Sequence, residues 1–266
     1  MEAATPVVSI SIENRLEEVG RVADLLDAFG REHGVPQAVL NDMHVAVDEA
    51  VSNVVRHAYA DDVVHRIGVF LERAPERLSV RVEDDGVEFD PLAVHIEPAG
   101  GALGQRPVGG LGLLFMRRLM DEIAYRRIDG RNELTLRKRI VPGAATPAGA
   151  AGEGGAAEHA SPVVVDVCGR VDSSTAPALH QRLKALAESP GARIIVNLVG
   201  ADYLTSAGFW AILAAARIAR ARHGDLVLCG VGKDLGRLFD AGGFTSLFRI
   251  HADADSAIRE FTHERG

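Results

Sequence analysis

Residues 48–59 read Asp48-Glu49-Ala50-Val51-Ser52-Asn53-Val54-Val55-Arg56-His57-Ala58-Tyr59. They close a longer segment, 37–59, in which Leu40, Met43, Val47, Val51, Val54 and Ala58 recur at three- and four-residue intervals. That spacing predicts a helix with one apolar stripe laid on a sheet. Glu49, Asn53 and His57 are four residues apart and fall roughly opposite the stripe. A carboxylate and a carboxamide one turn apart can together address a Mg2+ ion and its waters, because hard cations take oxygen ligands. The same residues also describe an ordinary solvated helix face, and spacing alone favours that plainer reading.

Upstream, Val7–Glu13 alternates like a strand, and 15–33 carries Leu16, Val19, Val22, Leu25, Leu26 and Phe29 at helical spacing until Gly34 and Pro36 stop it. Downstream, strands are predicted over 65–73 and 77–84, joined by a short turn holding Pro75. A helix is predicted near 111–121, then two more strands over 123–129 and 133–140 around the tight turn Asp129-Gly130. Consecutive strands with hairpin-length connections imply a mostly antiparallel sheet with helices on one face, a two-layer α/β sandwich.

Two further features gather around this frame. At the end of the strand over 77–84 stands Glu83-Asp84-Asp85-Gly86-Val87-Glu88-Phe89-Asp90-Pro91. Asp84 is placed to accept a hydrogen bond from an adenine amino group, and Gly86 lets the backbone turn sharply after it; acidic turns of no special function look the same. Farther on, Val108-Gly109-Gly110-Leu111-Gly112-Leu113 runs into a helix, so backbone N–H groups and the positive helix end can receive phosphates. Many helices simply begin after glycines.

Residues 141–161, VPGAATPAGAAGEGGAAEHAS, hold nothing large enough to fill a core and read as a flexible linker between a domain at 1–140 and one at 162–266. The second domain alternates regularly. Strands are predicted at 163–169, 193–199, 225–231 and 247–250, and helices at 175–188, 206–222, 233–241 and 254–264, giving a small α/β domain. Its Thr205-Ser206-Ala207-Gly208 lies where a long helix starts, so either hydroxyl suits an N-cap. A phosphate on Ser206 would be tolerated at a helix N-terminus and would change how that surface meets a partner.

Across the 266 residues the formal charge is −8, which disfavours nucleic acid and anionic membrane as direct partners. No apolar run is long enough to span a bilayer, and the first residues lack the basic start and apolar core of a signal peptide, so a cytoplasmic location is expected. The two cysteines, Cys168 and Cys229, have no paired spacing and read as core residues.

Taken in order, the helix of Glu49 and Asn53, the Asp84-Asp85-Gly86 turn and the Gly110-Leu111-Gly112-Leu113 run closely resemble the ATP-binding (Bergerat) domain of the gyrase, Hsp90, histidine kinase and MutL superfamily. Within it, residues 48–59, Gly110–Leu113, Leu119-Met120-Asp121-Glu122 and Gly130–Leu136 are similar to the anti-sigma-factor serine kinases of bacterial partner-switching systems. The resemblance spans about residues 8–139. It implies ATP and Mg2+ as cofactors, with Asn53 holding the metal, Glu49 as general base on a serine hydroxyl and Asp84 on adenine. It also implies that Gly86 shapes the base site, that Gly110, Gly112 and Leu113 form the phosphate lid, and that Thr135 adds an adenine contact. Glu88 stands where the superfamily has a second glycine. Residues 162–264, with Gly169-Arg170-Val171-Asp172 near the start, resemble the STAS domain of sulfate transporters and anti-sigma-factor antagonists. That resemblance makes Ser206 the phosphoacceptor, although Thr205 replaces the aspartate that precedes it in antagonists. The implied whole is a transcriptional switch in which a serine kinase is fused to its antagonist-type domain. Its expected partners are a sigma factor or an antagonist protein, with a homodimer through the ATP domain; a noncatalytic, ATP-dependent binding module is the alternative. A linker of about 20 residues gives effective concentrations near ~1 mM, which makes docking within one chain plausible.

Overall fold

The computed structural model describes residues 7–95, 111–140, 162–241, 244–245 and 247–263. They belong to two compact units. The segment read as a linker, 141–161, and Gly110 of the glycine run lie outside the described residues.

In the first unit, five strands form one sheet: β1 (Val7–Glu13), β2 (Arg66–Ala74), β3 (Arg77–Asp84), β4 (Glu122–Ile128) and β5 (Arg131–Arg139), in the order β1-β2-β3-β5-β4. Every neighbouring pair is antiparallel. Asp129 and Gly130 both adopt positive φ, 49° and 80°, the backbone of a two-residue hairpin turn. Alternation sets the faces. Leu78, Val80 and Val82 of β3 are buried, while Arg81, between them, lies over the Phe70 ring at 4.3 Å on the other side.

The core side is covered by α1 (Val19–Glu32), α2 (Gln37–His57) and α3 (Leu111–Leu119). The segment read as one helix over 15–33 starts as a 3-10 turn, Leu16–Glu18, and ends where Gly34 takes φ +61° and Val35 N–H returns to Gly30 O at 2.9 Å. The stripe-and-polar-face picture of α2 is corrected. Packed on the sheet and flanked by the other two helices, it buries Asp42, His44, Asp48, Glu49 and Ser52 along with its apolar residues. Burial of that kind demands partners. Lys138 Nζ lies 2.9 Å from Asp42, and His44 Nε2 lies 2.7 Å from Asp27.

The second unit is a parallel sheet: β6 (Val163–Val171), β7 (Arg193–Leu204), β8 (Asp225–Cys229) and β9 (Ile250–His251), in that order, with helices α4 (Ala176–Ala187), α5 (Ser206–Ala221), α6 (Lys233–Ala241) and α7 (Ala254–His263). Phe209, Phe239 and Phe244 pack together, and Phe261 of α7 joins Ile195 and Val227 in a second cluster. Strand β7 runs five residues beyond the expected end at 199, through Leu204, with two register shifts against β6. Gly200 permits this, since a Cβ there would stand 2.8 Å from Cys168 Sγ. Cys229 is buried as expected, but Cys168 is exposed.

Candidate nucleotide site

At the end of the first sheet the register sets Asp84 of β3 directly opposite Asn132 of β5. Both are buried, and Asn132 Nδ2 donates to Asp84 Oδ1 at 2.8 Å and to Val87 O at 2.9 Å. The Gly86 N–H donates to the same Asp84 oxygen at 2.9 Å. Asn132 Oδ1 accepts from Tyr125 Oη at 2.8 Å and from Arg127 Nη1 at 2.6 Å, and Arg127 also reaches Gly86 O at 3.1 Å. Burial pushes the Asp84 carboxyl above its usual range, and the Asn132 hydrogen bond works against that shift. Asn132 is thus fully engaged and holds Asp84 in one orientation.

Around this pair opens a cleft of about 690 Å³, part of it open to solvent. Ala50, Val54, Ala58, Met116 and Leu134 give it apolar walls, with Asp84, Asn132, Asn53 and Tyr125 as polar points. An apolar slot with a few fixed polar groups suits a planar base bearing an amino group. Gly86 is buried and serves the wall sterically. A Cβ there would lie 2.5 Å from Ala58 Cβ and 2.6 Å from Ala58 O, and its neighbour Val87 N–H donates to Ala58 O at 2.9 Å. Its need for glycine comes from that approach to the end of α2.

One turn before the end of the cleft's α2 wall, Asn53 Nδ2 donates to Glu49 Oε1 at 2.9 Å. Glu49 is buried and lies behind the wall; the cleft reaches Asn53 and Ala50. Gly112, in the first turn of α3, is packed so tightly on Glu49 that a Cβ would coincide with the carboxylate. The amide bond to Glu49 uses the Asn53 nitrogen, so the oxygen is the atom suited to a hard cation.

Not every expected contact is present. Thr135 is corrected: Asn132 and Leu134 line the cleft, and the two-residue period of β5 sends Thr135 to the opposite face beside Arg81 and Ala124. Leu113 is a buried core residue outside the cleft, and Met116, one turn on, is the α3 residue that lines it. His57 and Glu88 do line it. In the second unit Thr205 is the N-cap of α5, with extended backbone and no side-chain capping bond, and Ser206 opens the helix with only 9% of its surface exposed. Thr205 N–H donates to Val171 O at 2.9 Å, which ties this turn to the end of β6 and to the buried Asp172.

The antiparallel sheet with its helical layer is the fold of the class that the comparisons identify: the histidine kinase-like ATPase domain family matches residues 12–138. The family described as Mlab, STAS domain, matches residues 155–249. Over 98 residues the chain is 33% identical to the serine/threonine-protein kinase BtrW of Bordetella bronchiseptica, covering 37% of this chain and 69% of that protein. It is 33% identical over 138 residues to the serine-protein kinase RsbW of Bacillus velezensis (49% and 84%), and 32% over 131 residues to RsbW of Bacillus subtilis (46% and 79%). The chain belongs to the RsbW-type serine-protein kinase family, here fused to a STAS domain. Such a family implies use of ATP. Among the described residues no helix is long and apolar enough to cross a membrane.

Proposed function

We propose that the chain is a Mg·ATP-dependent protein serine kinase of the partner-switching kind, with the kinase domain at 1–140 and an antagonist-like domain at 162–266 that is its substrate or docking partner. The observation that carries this reading is the convergence on one cleft of the Asp84–Asn132 pair and the Asn53 amide, itself bonded to Glu49. Asp84 supplies an acceptor for the adenine amino group. Asn53 would hold Mg2+, which supplies charge neutralisation on the phosphates. Glu49 takes the proton of a serine hydroxyl as that oxygen bonds to the γ-phosphorus and ADP leaves. Ser206, at the start of α5, is the candidate acceptor within the chain, and a sigma factor or a separate antagonist protein is the external partner.

Incubation of the chain with Mg·ATP, alone and with a separate antagonist-type STAS protein, should yield a phosphoserine detectable by mass spectrometry, at Ser206 or on the added protein. Nucleotide binding with neither phosphorylated would defeat the kinase reading. A specific observation supports a second reading, an ATP-dependent capture module without catalysis: Glu49 lies behind the cleft wall and Ser206 is nearly buried. Glu49→Ala separates the two. A kinase loses phosphotransfer and keeps nucleotide and partner binding, whereas a capture module is unchanged in everything it does.

A further inference from the structure

The segment after Glu88 forms part of the cleft wall, through Phe89 and Pro91, yet belongs to no strand or helix. Among the described residues it makes a small turn: Asp90 Oδ1 accepts from Leu92 N–H at 2.8 Å, and Asp90 O from Ala93 N–H at 3.2 Å. Pro91 is buried, but Phe89 is 47% exposed and Leu92 42%, so apolar burial anchors this stretch chiefly at one residue. What reaches it from the packed body is Arg117 of α3. Its Nη2 donates to Pro91 O and to Val94 O, each at 2.6 Å, so one guanidinium nitrogen bridges both ends of the turn. The adjacent Met116 lines the cleft, and Gly112, at the start of the same helix, packs on Glu49. Charge-assisted bonds from a half-buried arginine are stronger than neutral ones.

We infer that Arg117 is a positioning residue for nucleotide binding, clamping the 89–94 wall onto α3 so that the cleft stands ready-formed. The inference rests on the nucleotide reading of the cleft. Without the clamp the wall samples open states, and the apparent affinity falls by the fraction of time the wall is in place. If that fraction is about a tenth, the loss is about tenfold. Association slows because fewer free molecules are ready-formed, and release quickens because an unclamped wall also opens with nucleotide in place.

The test titrates the full chain with a fluorescent ATP analogue in Mg2+ and follows its dissociation by stopped flow, for wild type, Arg117→Met and Arg117→Lys. Arg117→Met should bind about tenfold more weakly, through slower association and faster dissociation, while its ligand-free unfolding midpoint stays near that of wild type. Arg117→Lys, which keeps the charge on a side chain that ends short of the Nη2 position, should fall between. Amide exchange over 88–95 in the ligand-free chain should accelerate in Arg117→Met and leave α2 unchanged. Binding and dissociation of both variants within twofold of wild type would overturn the inference and leave the nucleotide reading standing. Absence of nucleotide binding by wild type would overturn that reading and this inference with it. Should Arg117→Met not fold, Arg117→Lys carries the same comparison: wild-type dissociation in that variant overturns the clamp.

Discussion

Glu49 and Gly112 share one small volume, and each depends on the other. The carboxylate occupies the space a side chain at 112 would need. Gly112→Ala must therefore displace either Glu49 or the start of α3, and overpacking of this kind costs about 1–3 kcal/mol. A shift of about 1 Å in a catalytic group lowers rate by roughly a hundredfold. Phosphotransfer by Gly112→Ala should fall by that order in initial-rate assays; a rate near wild type would separate Glu49's position from the chemistry. Asp84 makes a second claim at this scale, through pH. Its folded carboxyl titrates above the ordinary 3.8 because it is buried. Between those two values the folded chain holds a proton that the unfolded chain has released. Asp84 thus lowers stability as pH rises through that window, and raises nucleotide affinity there by becoming an ionised acceptor. Urea midpoints and nucleotide titrations across the window should show both slopes, and Asp84→Asn should flatten the first. Glu49, Asn53 and Asp84 were singled out in the sequence by the family resemblance, since helical spacing and an acidic turn alone describe an ordinary surface. Asn132 was not, since its importance comes from standing opposite Asp84, a register that no local pattern prints. Thr135 was avoidable: Leu134 and Leu136 mark the even-numbered positions of β5 as the inner face, so Thr135 had to point outward.

Between α2 and β2 the chain makes a connection whose stability rests on one imidazole. The His65 ring stacks on Tyr59 at 3.9 Å, its Nε2 lies 3.0 Å from Asp61 and its Nδ1 3.3 Å from Asp85, while its backbone N–H donates to Asn14 Oδ1. Tyr59 Oη donates to Asp85 as well, and burial with the neighbouring carboxylates keeps that phenol protonated. Flanked by two carboxylates, His65 gains protons more readily than its ordinary 6.5, first through the Asp61 hydrogen bond. A raised folded value means the stabilisation is complete below 6.5 and disappears as pH rises through the folded value. The thermal midpoint of this unit should therefore decline across that range in wild type, and His65→Gln should remove the decline; an identical slope in the variant would show that another group titrates. The elements themselves were largely readable, since alternation survives in much of β1, β2 and β6 while the parallel strands β7 and β8 read as apolar runs. Two readings failed for tertiary reasons. Strand β7 continues through Gly200-Ala201-Asp202 because pairing with β6 and the Cys168 side chain hold a stretch whose composition says loop. Asp42, His44, Asp48, Glu49 and Ser52 of α2 are buried because α1 and α3 cover flanks that periodicity assigns to solvent.

On the scale of the whole chain, two units with separate sheets and separate cores give each its own reason to fold. Only the first holds the candidate nucleotide cleft, so ligand linkage should act on it alone. A ligand at a hundred times its dissociation constant adds about 2.7 kcal/mol to the unit that binds it. Calorimetry of the full chain should show two transitions, with Mg·ATP raising one by several degrees and leaving the other in place. Asn53→Ala should cancel most of the rise by removing the amide assigned to the metal, without moving the ligand-free midpoints far. If Mg·ATP shifted both transitions together, the units would be energetically coupled, and nucleotide state in the kinase domain would be felt directly at Ser206. If it shifted neither, the cleft would not bind nucleotide. Movement of one transition alone, restored in part when Asn53→Ala is given ADP without metal, would tie the Asn53 amide to Mg2+ and leave Asp84 as the anchor for the base.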